Sequence, residues 1–266
     1  MPVYTSEALI LRTYKLGEAD RIVVFLTRDR GKKRGVAKGA RRPRSRYMGA
    51  LEPMTRAGVA YYEREQRDLV RINYVEPQRS PLSGMSGMSS GALGHIGYFA
   101  ELIDEWAPEA QVDERLYRLG SSAVDALANG VPVEALARYF EYWILRLQGV
   151  YPSFACASCG AGLTLSASNG EAECPEPGRS AGATMPPGDH VLLCRDCAPS
   201  GGSQLSPSAM HFLAAAGRMA PDRLEAFGLS DRASRELETV HRRLLNLHLE
   251  KELKSVRVLR EMRHTR

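Results

Sequence analysis

The sequence is short of what a membrane protein, a disulfide-bonded secreted domain or a familiar enzyme would show. No uninterrupted apolar run is longer than about five residues, as in Ile22 to Leu26, whereas a bilayer-spanning helix needs about 20. The opening "MPVYTSEALIL" lacks the basic segment and long apolar core of a secretory signal. Cysteine is scarce: there are five in 266 residues, and four of them fall in two C-x-x-C pairs. That usage fits metal binding in a reducing compartment better than a disulfide framework, so a cytoplasmic protein is expected. There is no H-E-x-x-H, no P-loop and no pair of carboxylates set for acid–base work. The chain is therefore expected not to be an enzyme.

What is present is unevenly charged. The net charge is only +5, but residues 1 to 80 hold 18 basic and 9 acidic side chains, against 18 and 22 in the remainder. The excess sits in "RDRGKKRGVAKGARRPRSR", positions 28 to 46, with ten Lys or Arg and one Asp. Such density repels itself unless a polyanion meets it. Gly31, Gly35 and Gly39 let the backbone approach a partner, and the planar fork of Arg matches phosphate geometry. Binding by counterion release, sensitive to salt and poor in sequence specificity, follows. Tyr47, Tyr61, Tyr62 and Tyr74 are candidates to stack on bases.

The segment lies among five short runs rich in β-branched and aromatic residues: "EALILRTY", "DRIVVFLT", "RGVAKGA", "TRAGVAYYE" and "DLVRINYVE". Five strands in eighty residues suit either an oligonucleotide/oligosaccharide-binding (OB) barrel or an SH3-like one. The Gly/Ser-rich "SPLSGMSGMSSGALG" (80 to 94) marks a joint. Beyond it the period changes to that of helices. Leu93, Ile96, Ala100, Ile103 and Ala107 form one stripe; Val133, Leu136, Phe140, Trp143 and Leu147 form a second, after Pro132. Leu237, Val240, Leu244 and Leu247 form a third, extended by Leu253 and Val256. All three read as core faces. The acidic residues Glu101, Asp104, Glu105, Asp113 and Glu114 read as a solvated face.

Cys156-x-x-Cys159 and Cys194-x-x-Cys197 lie in a Gly/Pro/Ser-rich stretch. Two residues between cysteines let both thiolates of a knuckle meet one ion, and two knuckles complete a tetrahedral zinc site. Four sulfurs leave no open position for water or substrate, and the deaminase pattern H-x-E…P-C-x-x-C is missing, so one structural zinc is expected. The 34 residues between the pairs form a long insertion, in which Cys174 and His190 are read as bystanders.

Taken together, "EALILRTYKLGEADRIVVFLTRDRGKKRGVAKGARRPRSRYMGALEPM" (7 to 54), the paired cysteines and "LHLEKELKSVRVLREM" resemble the bacterial recombination mediator RecO family, with "AKGARR" the most specific block. The resemblance implies an α+β multidomain fold: an OB barrel (1–80), an all-α helical domain in two parts (81–151 and 204–266) and an inserted four-cysteine zinc module (152–203). It implies a DNA repair and recombination protein, nucleoid-associated, that binds single- and double-stranded DNA and anneals complementary strands. Its partners would be RecR, the tail of single-stranded DNA-binding protein, RecF and RecA. On this chain the implied DNA contacts are Lys32, Lys33, Arg34, Lys38, Arg41, Arg42, Arg44 and Arg46. The zinc ligands would be Cys156, Cys159, Cys194 and Cys197. The acidic, apolar-ended tail would meet Arg242, Arg243, Lys251, Lys254, Arg257 and Arg260 beside the third stripe. An RNA-binding zinc ribbon of the ribosome or transcription machinery is the main alternative, and a zinc hydrolase acting on nucleic acid the least favoured.

Overall fold

The computed structural model describes residues 2–64, 68–83, 90–163 and 182–264. They divide into two compact units, Met1–Val133 with Glu252–Arg266, and Glu134–Lys251.

The first unit is built on β1 (Val3–Leu16), β2 (Asp20–Thr27), β3 (Gly31–Ala37), β4 (Arg56–Tyr62) and β5 (Leu69–Arg79). They close into a barrel in the order β1-β2-β3-β5-β4, with β1 also pairing β4. Only the β3–β5 pairing is parallel. This Greek-key circuit is the OB arrangement, which decides between the two barrels that strand counting left open. Ala8, Ile10, Val23, Phe25, Val59, Tyr61 and Ile72 fill the interior. Leu9, Leu11, Val24 and Leu26 are equally buried on the opposite face, so "LIL" and "IVVFL" read as continuous apolar runs rather than alternating ones. Helices α1 (Ser90–Trp106) and α2 (Glu114–Ala128) account for that second buried face on β1. Gly120 of α2 permits the close approach: a Cβ there would sit 2.6 Å from Leu9 and 2.7 Å from Ile103.

The third strand departs from expectation. It spans Gly31–Ala37 rather than 34 to 40, so "GKKR" is strand, with Lys32 and Lys33 paired to Leu26 and Phe25. Their charges are neutralised from elsewhere in the chain, as described below. Residues 38 to 55 form successive turns whose Tyr47, Ala50 and Leu51 join the barrel's interior cluster. The Tyr47 hydroxyl lies 3.1 Å from the carbonyl oxygens of both Ile72 and Asn73.

The second unit holds α3 (Val133–Leu147), which begins directly after Pro132, then β6 (Ala183–Met185), β7 (Ser203–Leu205), α4 (Pro207–Ala216), a 3-10 turn (Pro221–Phe227) and α5 (Asp231–Leu249). The stripes are largely core: Ile96, Ile103, Leu136, Phe140, Leu237, Val240 and Leu244 are at most 5% exposed, while Leu93 and Leu247 face solvent. The third stripe is not one helix. Glu250 adopts a left-handed conformation (φ 53°) and ends α5, and α6 (Lys254–His264) belongs to the first unit. There the Glu101 carboxylate of α1 caps α6, accepting from the Ser255 N–H at 2.7 Å, the Lys254 N–H at 3.2 Å and the Ser255 hydroxyl. The joint expected at 80 to 94 falls partly outside the described residues, and Ser90 already belongs to α1. No helix among the described residues is long and apolar enough to cross a membrane.

Candidate nucleic-acid surface and metal centre

The eight cations expected to contact DNA fall into two groups. Lys32, Lys33 and Arg34 lie on β3 and have acidic partners. The Lys32 side chain is only 9% exposed; its ammonium donates to the Asp104 carbonyl oxygen at 2.7 Å and lies 3.5 Å and 3.4 Å from the Asp104 and Glu109 carboxylates. Lys33 meets Glu63 at 2.6 Å, and Arg34 meets Glu109 at 3.0 Å. Arg12 of β1 joins the same network through Asp104 at 2.8 Å. These acids follow their β3 partners by 30 to 77 positions in the sequence, so no local pattern announces them. Lys32 and Lys33 are thereby each engaged by acids of this chain.

Lys38, Arg41, Arg42, Arg44 and Arg46 form the second group, all in the turns after β3 and all exposed. None has an ion pair among the described residues. Their loop is nonetheless fixed. The Arg41 guanidinium donates to the carbonyls of Gly17 (3.0 Å) and Glu18 (2.9 Å), and its N–H to that of Ala19 (2.9 Å). The Gly39 N–H donates to Asp20 at 2.8 Å. The "GEAD" turn between β1 and β2 is thus the clasp for "AKGARR". Arg46 lies over the Tyr47 ring, 5.0 Å from its centroid. Of the four tyrosines considered for stacking, Tyr47 and Tyr61 are buried at 2% and 0% exposure, which removes them; Tyr62 is half-buried and Tyr74 is 42% exposed.

Four of the acids read as a solvated face have partners within this unit. Asp104 joins the network above, Glu101 caps α6, Asp113 caps α2 by accepting from the Leu116 N–H, and Glu114 pairs with Arg28 at 3.6 Å.

In the second unit the four cysteines converge. The sulfurs of Cys156, Cys159, Cys194 and Cys197 all lie within 4.8 Å of one another, and Cys159 and Cys194 are 3.8 Å apart. A tetrahedron with metal–sulfur arms of about 2.3 Å has edges of about 3.8 Å, whereas a disulfide needs about 2.05 Å. The donor set therefore fits a four-thiolate metal site. Each knuckle is a tight turn: the Gly160 N–H donates to the Cys156 carbonyl at 2.8 Å, with Gly160 at φ 75°, and the Ala198 N–H to that of Cys194 at 3.0 Å. Burial acts to raise the Cys156 thiol pKa, but the backbone N–H groups of Cys159, Cys194 and Ser158 overcome it and bring it to about 6. A thiolate is thus favoured at the one sulfur they surround. His190 is exposed and stands outside the cluster; Cys174 lies outside the described residues.

The six cations assigned to a protein partner sit on two helices or just beyond them, not one. Arg242 pairs with Glu238, Arg257 with Glu261 at 3.8 Å and Arg260 with Glu252 at 2.6 Å. Arg243 has no ion pair among the described residues. Lys251 and Lys254 are exposed. The stripe beside them is core at Leu237, Val240 and Leu244.

The family model "Recombination protein O N terminal" matches residues 1–81, and "Recombination protein O C terminal" matches residues 90–257. DNA repair protein RecO of Anaeromyxobacter sp. (strain K) is 35% identical over 258 residues, covering 96% of this chain and 94% of that protein. The Geobacter metallireducens protein of the same name is 33% identical over 263 residues, covering 97% of each. The Koribacter versatilis one is 39% identical over a shorter match, 59% of this chain and 64% of that protein. With both halves matched and full-length relatives of this identity, the chain belongs to the recombination protein O family of DNA repair proteins.

Proposed function

We propose that this protein is a non-enzymatic mediator of recombinational repair. It binds single- and double-stranded DNA, anneals complementary strands and, with RecR, helps load RecA recombinase onto DNA coated with single-stranded DNA-binding protein. The observation that carries the proposal is the clasped loop 38 to 46, which presents Lys38, Arg41, Arg42, Arg44 and Arg46 to solvent with no acidic partner among the described residues. Placed on an OB barrel, a fold that tracks nucleic-acid backbones through a positive groove, these cations supply the phosphate contacts. The tail of single-stranded DNA-binding protein is assigned to the cations of α5 and α6, and RecF joins RecR and RecA as a protein partner. The four thiolates hold one structural zinc ion, which cross-links the two knuckles and supplies folding free energy. All four positions being sulfur, it leaves no site for chemistry.

The test is strand annealing and oligonucleotide binding by the full chain across a salt series. Five phosphate contacts give a slope of log K on log salt near −3.5 for single strands and −4.5 for duplex. Binding indifferent to salt would remove the proposed surface.

A further inference from the structure

Strand register places one row of side chains across all five strands. Tyr14 pairs with Ile22, Ile22 with Val36, and Val36 with Arg71; Arg71 pairs in turn with Tyr62. Directly paired residues face the same side of a sheet. Their neighbours Val23, Ala37, Ile72 and Tyr61 point into the barrel and are at most 1% exposed, so this row faces outward. Tyr14 is 46% exposed, Ile22, Val36 and Tyr62 are half-buried and Arg71 is exposed. Among the described residues neither Tyr14 nor Tyr62 stacks on another ring or lies beneath a cation. The Tyr14 hydroxyl is held by the Arg12 guanidinium at 3.2 Å, which fixes its polar end.

Charge frames this apolar strip. Exposed Arg71 closes its β5 side, and the clasped loop begins one residue beyond Ala37, bearing cations that have no ion pair among the described residues. An aromatic–aliphatic strip bordered by cations matches unpaired nucleic acid, whose bases offer flat apolar faces and whose phosphates are anionic. A duplex hides those faces in its own stack. The outer face of β2 and β3 is also where OB barrels take oligonucleotides. Two steps between strands, about 4.8 Å each, separate Tyr14 from Val36, and with the width of the tyrosine ring the strip is broad enough for roughly two bases.

We infer that Tyr14, on the strip it forms with Ile22 and Val36, is a base-stacking residue through which this protein binds single-stranded DNA more tightly than duplex. The inference rests on the DNA-binding reading above and assigns the strand type to a residue outside the cationic loop. Phosphate contacts serve both forms of DNA; only the splayed strand can place a base on Tyr14.

Fluorescence anisotropy of the full chain with a labelled oligothymidine, and with a duplex of equal length at the same salt, tests this. Tyr14→Ala should weaken single-strand binding about ten-fold, leave duplex binding within about two-fold and leave the salt slope unchanged. Tyr14→Phe and Tyr14→Trp should retain single-strand affinity. Equal losses on both DNAs, or no loss on either, would overturn the assignment while the cationic surface stands. If the unaltered protein binds neither DNA, the DNA-binding reading fails instead.

Discussion

The ammonium of Lys32 lies 2.7 Å from the Asp104 carbonyl oxygen and 3.5 Å from the carboxylate of the same residue. One cation of the basic segment is thereby committed to joining β3 to α1. Replacing it by Ala leaves Asp104 and Arg12 without their third charge, and breaking a buried pair costs about 3 kcal/mol. Urea unfolding should show that loss. The folded fraction should bind DNA with an unchanged salt slope, since a phosphate contact would take about 0.7 from it for single strands.

Arg42 and Arg44 should behave the opposite way. Neither has an ion pair among the described residues, so Arg42→Glu with Arg44→Glu should alter stability by no more than about 0.5 kcal/mol. Single-strand binding should weaken and its salt slope should fall by about 1.4. Arg41 is a less clean probe: its side chain also holds the turn at Gly17 and Glu18, so Arg41→Glu should additionally speed hydrogen exchange in that loop.

Metal analysis should find one zinc ion per chain, and Cys159→Ser should lower its occupancy. Strong chelation should remove folding free energy on the order of 10 kcal/mol from the knuckles. Hydrogen exchange should then rise at the amides of Cys159 and Cys194, which hydrogen-bond the Cys156 sulfur. The barrel lies in the other unit and should keep its protection and its affinity for DNA.

The second unit should also lose stability in mild acid. His241 is fully buried, with Nδ1 2.9 Å from Glu141 and Nε2 3.0 Å from the Tyr151 hydroxyl, and Arg138 lies 3.1 Å from Glu141. Burial lowers the His241 pKa, and Glu141 offsets this only in part. The unfolded chain therefore binds the proton more readily. The stability contributed by neutral His241 is present above the ordinary histidine pKa of about 6.5, and it declines as pH falls towards the lower folded value. Thermal midpoints measured from pH 7.5 to 5 should fall, and His241→Gln should flatten that decline.

Gly31 should tolerate no side chain. It has φ 69°, and an added Cβ would lie 2.3 Å from the Gln111 carbonyl oxygen. Gly31→Ala should therefore cost more than the roughly 1 to 2 kcal/mol of the left-handed backbone alone, read as a lowered thermal midpoint.

The five strands were legible because β-branched runs alternate with turn residues, and α3 because Pro132 and a 3.6-residue stripe agree. The start of β3 was not, since "GKKR" looks like loop until Glu63 after β4, Asp104 of α1 and Glu109 beyond it neutralise it. The end of α5 was equally hidden: Glu250 takes a left-handed conformation with neither Gly nor Pro nearby to announce it. The cysteine quartet could be read from spacing, whereas the sorting of eight cations into bound and free required the fold. Tyr14 was overlooked because exposure on one face of a barrel depends on which strand end the helices leave uncovered.

Because Arg41 and Gly39 pin their loop to the preceding hairpin turn, the conformational entropy of ordering it is spent during folding rather than at each encounter. A rigid array of charge can then capture a passing strand on first collision. Association should approach the diffusion limit at low ionic strength, and differences in affinity among variants should lie chiefly in dissociation.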